Sequence, residues 1–170
     1  KALGEIDVKP DIISASSGGA LMGVLYASGM SPDEALKHII KHSFNFFLPS
    51  VRSGGFFSLS RLEKAYSEVL TVKTFEELKL PLVIATTDII QGESVYFSKG
   101  DIIRPLMASA SYPGIFEPIE INSRQLLDGG IMNNFPIEPI REQCEKIIGV
   151  SVGKIYKLAR VGSVHKVIVR

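Results

Sequence analysis

The chain has 170 residues, with 19 basic and 18 acidic side chains, a net charge of +1, and 45% hydrophobic residues. That is enough for one domain with a real core, since folding at this size buries roughly 70% of the unfolded chain's surface. No basic run or stripe appears, which argues against a nucleic-acid partner, and no apolar stretch approaches the length of a membrane span. The lone Cys144 has no partner for an intrachain disulfide, which suits a reducing compartment.

Taken in chain order, "KALGEI" reads as the end of a helix, and "DIISA" (11–15) as a short apolar strand. Residues 17–28 turn helical, with Leu21, Val24 and Leu25 on one face and Gly29 as the C-cap. "SPDEALKHIIKH" is a second helix, with Ser31 as cap, Pro32 in its first turn, and Asp33 and Glu34 at the positive end of its dipole. "LSRLEKAYSEVL" is a third helix. "LPLVIATTDI" is a buried strand that leads through Gln91-Gly92 into "SVYFS", its hairpin partner. "DIIRPLMASAS" reads as a helix, and "FEPIEI" and "RQLLD" as a strand pair about Asn122-Ser123. A short helix follows at "IEPIREQC", then a buried strand, "KIIGVSVG", and another candidate strand at "HKVIVR". Strands alternating with helices predict an α/β fold, three-layered, with a largely parallel central sheet and helices on both faces.

Two seams in that pattern carry chemistry. "SASSGG" (14–19) joins the first strand to the first long helix. A nucleophile elbow places a serine on such a turn, with small residues two before and two after it. Ala15, Ser17 and Gly19 occupy those places. There the Gly18 amide and the helix N-terminus face any negative charge that develops. A glycine-serine helix start needed only for close packing, or a phosphate loop, are the competing readings; the stretch lacks the Walker and dinucleotide fingerprints. The second seam is "LLDGGIMNNFPIEPI" (126–140), where Asp128 ends an apolar strand and Gly129 and Gly130 free the backbone to turn. A carboxylate so placed can serve as general base to a serine, or can simply begin an Asp-Gly turn.

Together the two segments resemble the patatin-like phospholipase family. "PDIISASSGGALMGVLYASG" (10–29) is similar to its nucleophile elbow and first helix, and "LLDGGIMNNFPIEPI" to its catalytic Asp-Gly-Gly segment. The stretch from "LPLVIATTD" to the "ASASYPG" turn is similar to its middle region, so the likeness runs from Val8 to about Gly153. The resemblance implies a serine acyl hydrolase of phospholipids or other acyl esters, working through a dyad. In that role Ser17 is the nucleophile, Asp128 the base, and Gly18 and Gly19 the elbow and oxyanion positions. No metal or organic cofactor is implied. Ala15 stands where the family carries its first elbow glycine. The family's glycine-rich oxyanion loop would lie ahead of Lys1, so the expectation is a single domain over 1–170 lacking that loop and its strand. Cytoplasmic location or peripheral, transient membrane contact is expected.

Three further expectations complete the reading. Asn133 and Asn134 shape the loop after Asp128, together with Gly129 and Gly130. Phe44, Phe46, Phe47, Phe56 and Phe57 crowd a glycine-containing segment that lines or covers an acyl channel, or else forms simple core. His38 and His42 stand four apart on one helix, with no third ligand evident, and read as a helix face rather than a metal site. Two alternatives stay open: a lipid-binding module without turnover, and a Ser17–Asp128–His165 triad in α/β-hydrolase order.

Overall fold

The computed structural model describes residues 2–43 and 59–152. Helices α1 (Ala2–Glu5), α2 (Gly18–Ala27), α3 (Pro32–Ser43), α4 (Ser60–Val69) and α5 (Ile103–Ala110) accompany strands β1 (Ile13–Ser16), β2 (Leu82–Asp88), β3 (Glu93–Phe97), β4 (Ile119–Ile121) and β5 (Arg124–Asp128). The α/β class is as expected. The sheet is mixed: β1 and β2 are parallel, while the β2–β3, β2–β5 and β4–β5 pairs are antiparallel.

β2 is the axis of the sheet. All seven of its residues are buried, and Ile84 and Ala85 are fully so. Its alternate faces meet different neighbours. Leu82 and Ile84 join the main core with Ala15, Val24, Leu25, Tyr66 and Leu106. Val83 points the other way, where it lines a cleft with Tyr96, Pro139 and Gln143. Helices α2 and α5 touch each other and both touch β2, so they share the main-core face; α3 packs on α2 and α4 on α5. The sequence of α2, GGALMGVLYA, is apolar all round, as a helix buried between a sheet and other helices must be. It closes as predicted at Gly29, whose φ of +105° lets the amides of Gly29 and Met30 bond back to Tyr26 and Leu25. α3 starts on the expected cap: the Glu34 carboxylate accepts from the Ser31 amide at 2.9 Å.

The pairing along β2 has an unusual consequence. Ile84 has Ala15 on one side and Phe97 on the other, and Thr86 has Asp128 on one side and Val95 on the other. β3 therefore fills one edge of β2, and β1 and β5 share the opposite edge end to end. β1 runs with β2 and finishes at Ser16 opposite Ala85. β5 runs against it and finishes at Asp128 opposite Thr86. Their carboxyl ends collide, and both chains must leave the sheet at the same place. β5 leaves through Gly129, where an added Cβ would sit 2.4 Å from the Ala85 carbonyl oxygen.

Two expectations change. Residues 146–152, read as a buried strand, hold no strand, and Ile148 and Val150 are 60% and 78% exposed. An apolar run becomes a strand only where it pairs along a neighbouring edge, and none of the five described strands pairs with this segment. The helix at "IEPIREQC" is a 3-10 helix over Glu138–Gln143. "HKVIVR" lies outside the described residues, as do Phe44, Phe46, Phe47, Phe56, Phe57 and His165.

Gly129→Ala should lower stability by about 1–3 kcal/mol, the usual cost of forcing a methyl into packed surroundings, read as a smaller urea midpoint at unchanged slope.

Candidate active site

The strand collision brings together the two residues that lie 111 positions apart. The Ser17 hydroxyl donates to Asp128 Oδ2 at 2.6 Å. Both sides of this contact follow from local structure. Ser17 is the turn between β1 and α2, with φ 53° and ψ −127°. That left-handed backbone disfavours a side chain, so it marks strain at this one residue. Ala15, at the place of the expected first glycine, is an ordinary strand residue opposite Ile84. The strain falls on Ser17 itself, so an alanine two residues earlier is no obstacle to the turn.

Sheet geometry also separates the serines. Residues paired directly across strands share a face. Asp128 pairs with Thr86, on the face of Ile84 and the helices; Ser16 pairs with Ala85, on the opposite face. Ser14 lies on the same face as Ser16, two residues back. Ser17, turned out of the sheet, is the serine that reaches the carboxylate.

Asp128 is 4% exposed. Its second oxygen, Oδ1, accepts the Gly130 amide at 2.7 Å, and its own amide donates to the Ser111 carbonyl at 3.0 Å. The Thr87 hydroxyl donates to the Asp128 carbonyl at 2.9 Å. Burial pushes the Asp128 carboxyl above its ordinary range, against the opposing pull of the Ser17 hydroxyl and the Gly130 amide. A carboxylate held in this way is a stronger base than an exposed one.

The loop after Asp128 is braced. The Asn133 amide nitrogen donates to Tyr96 Oη at 2.9 Å and to Glu138 at 2.6 Å, and its backbone amide bonds back to Gly129 at 2.8 Å. Asn134 packs against Gly130, where an added Cβ would lie 2.8 Å from Asn134 Oδ1. Around Gly18, at the start of α2, a Cβ would meet nothing within 4 Å. A Cβ at Gly19 would touch Ala15 at an ordinary 3.7 Å.

Two other polar side chains fall outside the site. Asp88 is a turn residue: Oδ1 accepts the Ile90 and Gln91 amides at 3.0 and 3.1 Å. His38 stacks edge-on to Tyr66, ring centres 5.6 Å apart, in the helical layer. Among the described residues no cluster of three His, Cys, Asp or Glu side chains is placed to hold a metal. One residue at the site was missed. Ser109, on α5, accepts the Ser17 amide at 2.9 Å and donates to the Ala85 carbonyl at 2.7 Å.

Comparison with known proteins agrees with this architecture. The patatin-like phospholipase family matches residues 1–141, and the chain belongs to that family. An uncharacterised NTE family protein of Mycobacterium tuberculosis (strain ATCC 25618 / H37Rv) is 30% identical over 131 residues, 75% of this chain and 36% of that protein. Patatin-like phospholipase domain-containing protein 7 of Mus musculus is 29% identical over 166 residues, 90% of this chain and 12% of its own length. Patatin-like phospholipase domain-containing protein 6 of Homo sapiens is 26% identical over the same span, again 12% of its length. The chain thus spans a minor part of each relative.

Two outcomes follow for stability. Ser17→Gly should be more stable than Ser17→Ala by about 1–2 kcal/mol, because both lose the hydroxyl but only glycine relieves the left-handed backbone. Asp128 has a folded pKa above its unfolded value, so its contribution is full below the unfolded pKa and is lost as pH rises through the folded one. Asp128→Asn should therefore melt higher than the parent at pH 7, and the gap should close as the pH falls into the ordinary carboxylate range.

Proposed function

We propose that this domain is a serine acyl hydrolase in which Ser17 and Asp128 act as a dyad. The observation that carries the reading is the direct 2.6 Å hydrogen bond from the Ser17 hydroxyl to a buried carboxylate. A contact that short leaves no room for an imidazole between the two groups, which favours the dyad over a triad. The elevated Asp128 pKa supplies what an aspartate base otherwise lacks, a proton affinity nearer to neutral pH.

In the first half-reaction, Ser17 Oγ attacks the ester carbonyl as its proton passes to Asp128. The carbonyl oxygen gains the negative charge, and the Gly18 amide with the α2 N-terminus stabilises it. Collapse of the tetrahedral species breaks the bond to the leaving alcohol, which takes the proton from Asp128. Asp128 then removes a proton from water, the hydroxide attacks the acyl-serine, and collapse returns the proton to Ser17 and releases the fatty acid.

Family membership supports lipid esters as substrates, of the phospholipase A or lysophospholipase kind. Just beyond Gly130, Ile131, Met132 and Phe135 are exposed. An apolar rim so close to Asp128 suits an acyl chain or transient contact with a lipid surface. Among the described residues no helix is long and apolar enough to cross a membrane, and contact of this kind needs none.

The test is hydrolysis of a short-chain p-nitrophenyl ester by the full-length protein. Ser17→Ala and Asp128→Asn should each remove nearly all turnover, on the order of 10⁴-fold or more, and His165→Ala should keep most of it. Activity should rise with pH through a midpoint above the ordinary carboxylate range, because only ionised Asp128 can accept the proton. Loss of activity in the histidine variant would replace the dyad with a triad. Lipid binding without turnover in the parent protein would make the domain a binding module.

A further inference from the structure

We propose that Ser109 is a positioning residue for the nucleophile: its hydroxyl is inserted as an extra link into the β1–β2 ladder and holds Ser17 in its turned conformation. The inference rests on the acyl-hydrolase reading of the site.

The ladder's own phase leads to it. The Ile13 amide donates to the Pro81 carbonyl at 2.9 Å. In a parallel pair the bonded amides recur every second residue. The rung due at Ser17 is therefore its amide to the Ala85 carbonyl. That rung is not closed directly. The Ser17 amide donates to Ser109 Oγ at 2.9 Å, and Ser109 Oγ donates onward to the Ala85 carbonyl at 2.7 Å. A hydroxyl both accepts and donates, so one side chain satisfies both ends of an opened rung.

Ser109 departs from the habit of a helical serine to make this link. A serine on a helix can bond back to the carbonyl four residues earlier, as Ser111, the C-cap of α5, does to Met107 at 3.0 Å. Ser109 instead reaches a carbonyl 24 residues away and an amide 92 residues away. It is fully buried, so water does not compete for either partner. Without the hydroxyl two courses remain. The rung closes and draws Ser17 back toward strand geometry, or two buried polar groups lose their partners and the elbow shifts. Both misdirect Oγ from Asp128. The Ala85 carbonyl is also the atom that Gly129 must clear, so the same point of β2 governs both arms of the pair.

The experiment compares Ser109→Ala with Thr86→Val in the full-length protein. Thr86 likewise loses a buried hydroxyl, one that donates to the Val95 carbonyl on the far edge of β2. Ser109→Ala should lower kcat on a short-chain p-nitrophenyl ester by about 10- to 100-fold with KM nearly unchanged, as expected for a nucleophile displaced by a fraction of an ångström to an ångström. Thr86→Val should lose melting temperature without that fall in kcat. Ser109→Cys, close to serine in volume, replaces the alanine variant if the latter does not fold, and should also lose kcat because a thiol is a weak partner. A kcat in the Ser109 variant no lower than in Thr86→Val overturns the proposal. Exchange of the Ser17 amide, followed by NMR, reads the link without turnover: it should be slow in the parent and faster in Ser109→Ala. If the parent does not hydrolyse esters, the hydrolase reading fails, and equal exchange in the two proteins overturns the role of Ser109 separately.

Discussion

Two strands share one edge of β2 and run into each other. Every feature of the site descends from that collision. Had β5 run with β1, their carboxyl ends would point the same way and Asp128 would lie far from Ser17. Because they oppose, both chains must turn off the sheet between Ala85 and Thr86. One turns by adopting a left-handed backbone at Ser17, the other by omitting a side chain at Gly129. The two exits set a hydroxyl and a carboxylate in contact with no loop flexibility needed.

The arrangement is held against its own energetics. A side-chain-bearing residue in a left-handed conformation costs on the order of 1–3 kcal/mol, and an ionised carboxylate with little access to water costs more as it is buried. Neither feature helps the fold. The apolar layer beneath them supplies the stability: β2, the inward residues Ala20, Gly23, Val24, Leu25 and Ala27 of α2, and the Leu106–Met107–Ala108 turn of α5 are buried. In the proposed mechanism, the same burial that makes Asp128 expensive is what raises its proton affinity. Stability and reactivity are thus opposed at two named residues, and substitutions there should separate them.

Much of this was legible in the sequence because its signals are local. The small residues about Ser17, the capped start of α3, the glycine that ends α2, and the Asn122-Ser123 hairpin each depend on near neighbours. Asp128 was legible because it closes an apolar strand and two glycines follow it at once, a pattern that pins the carboxylate while the backbone turns away. What was not legible depends on distant pairing. Nothing in "MASAS" says that Ser109, not Ser111, will forgo its own helix for a carbonyl on β2. The run "KIIGVSVG" has the composition of a buried strand, yet its described residues pair with no strand of the sheet. The expected parallel character of the sheet is confined, among the described residues, to β1 and β2, because hairpin strands occupy the remaining positions.

In the proposed mechanism Ser17 is the reactive hydroxyl, and Asp128 makes it so. The most direct measurement is to treat the full-length protein with a fluorophosphonate and map the adduct by mass spectrometry, in the parent and in Asp128→Asn. A single adduct on Ser17 is expected, formed rapidly in the parent and far more slowly in the variant. An adduct on Ser16, or labelling of Ser17 at the same rate without the carboxylate, would contradict it.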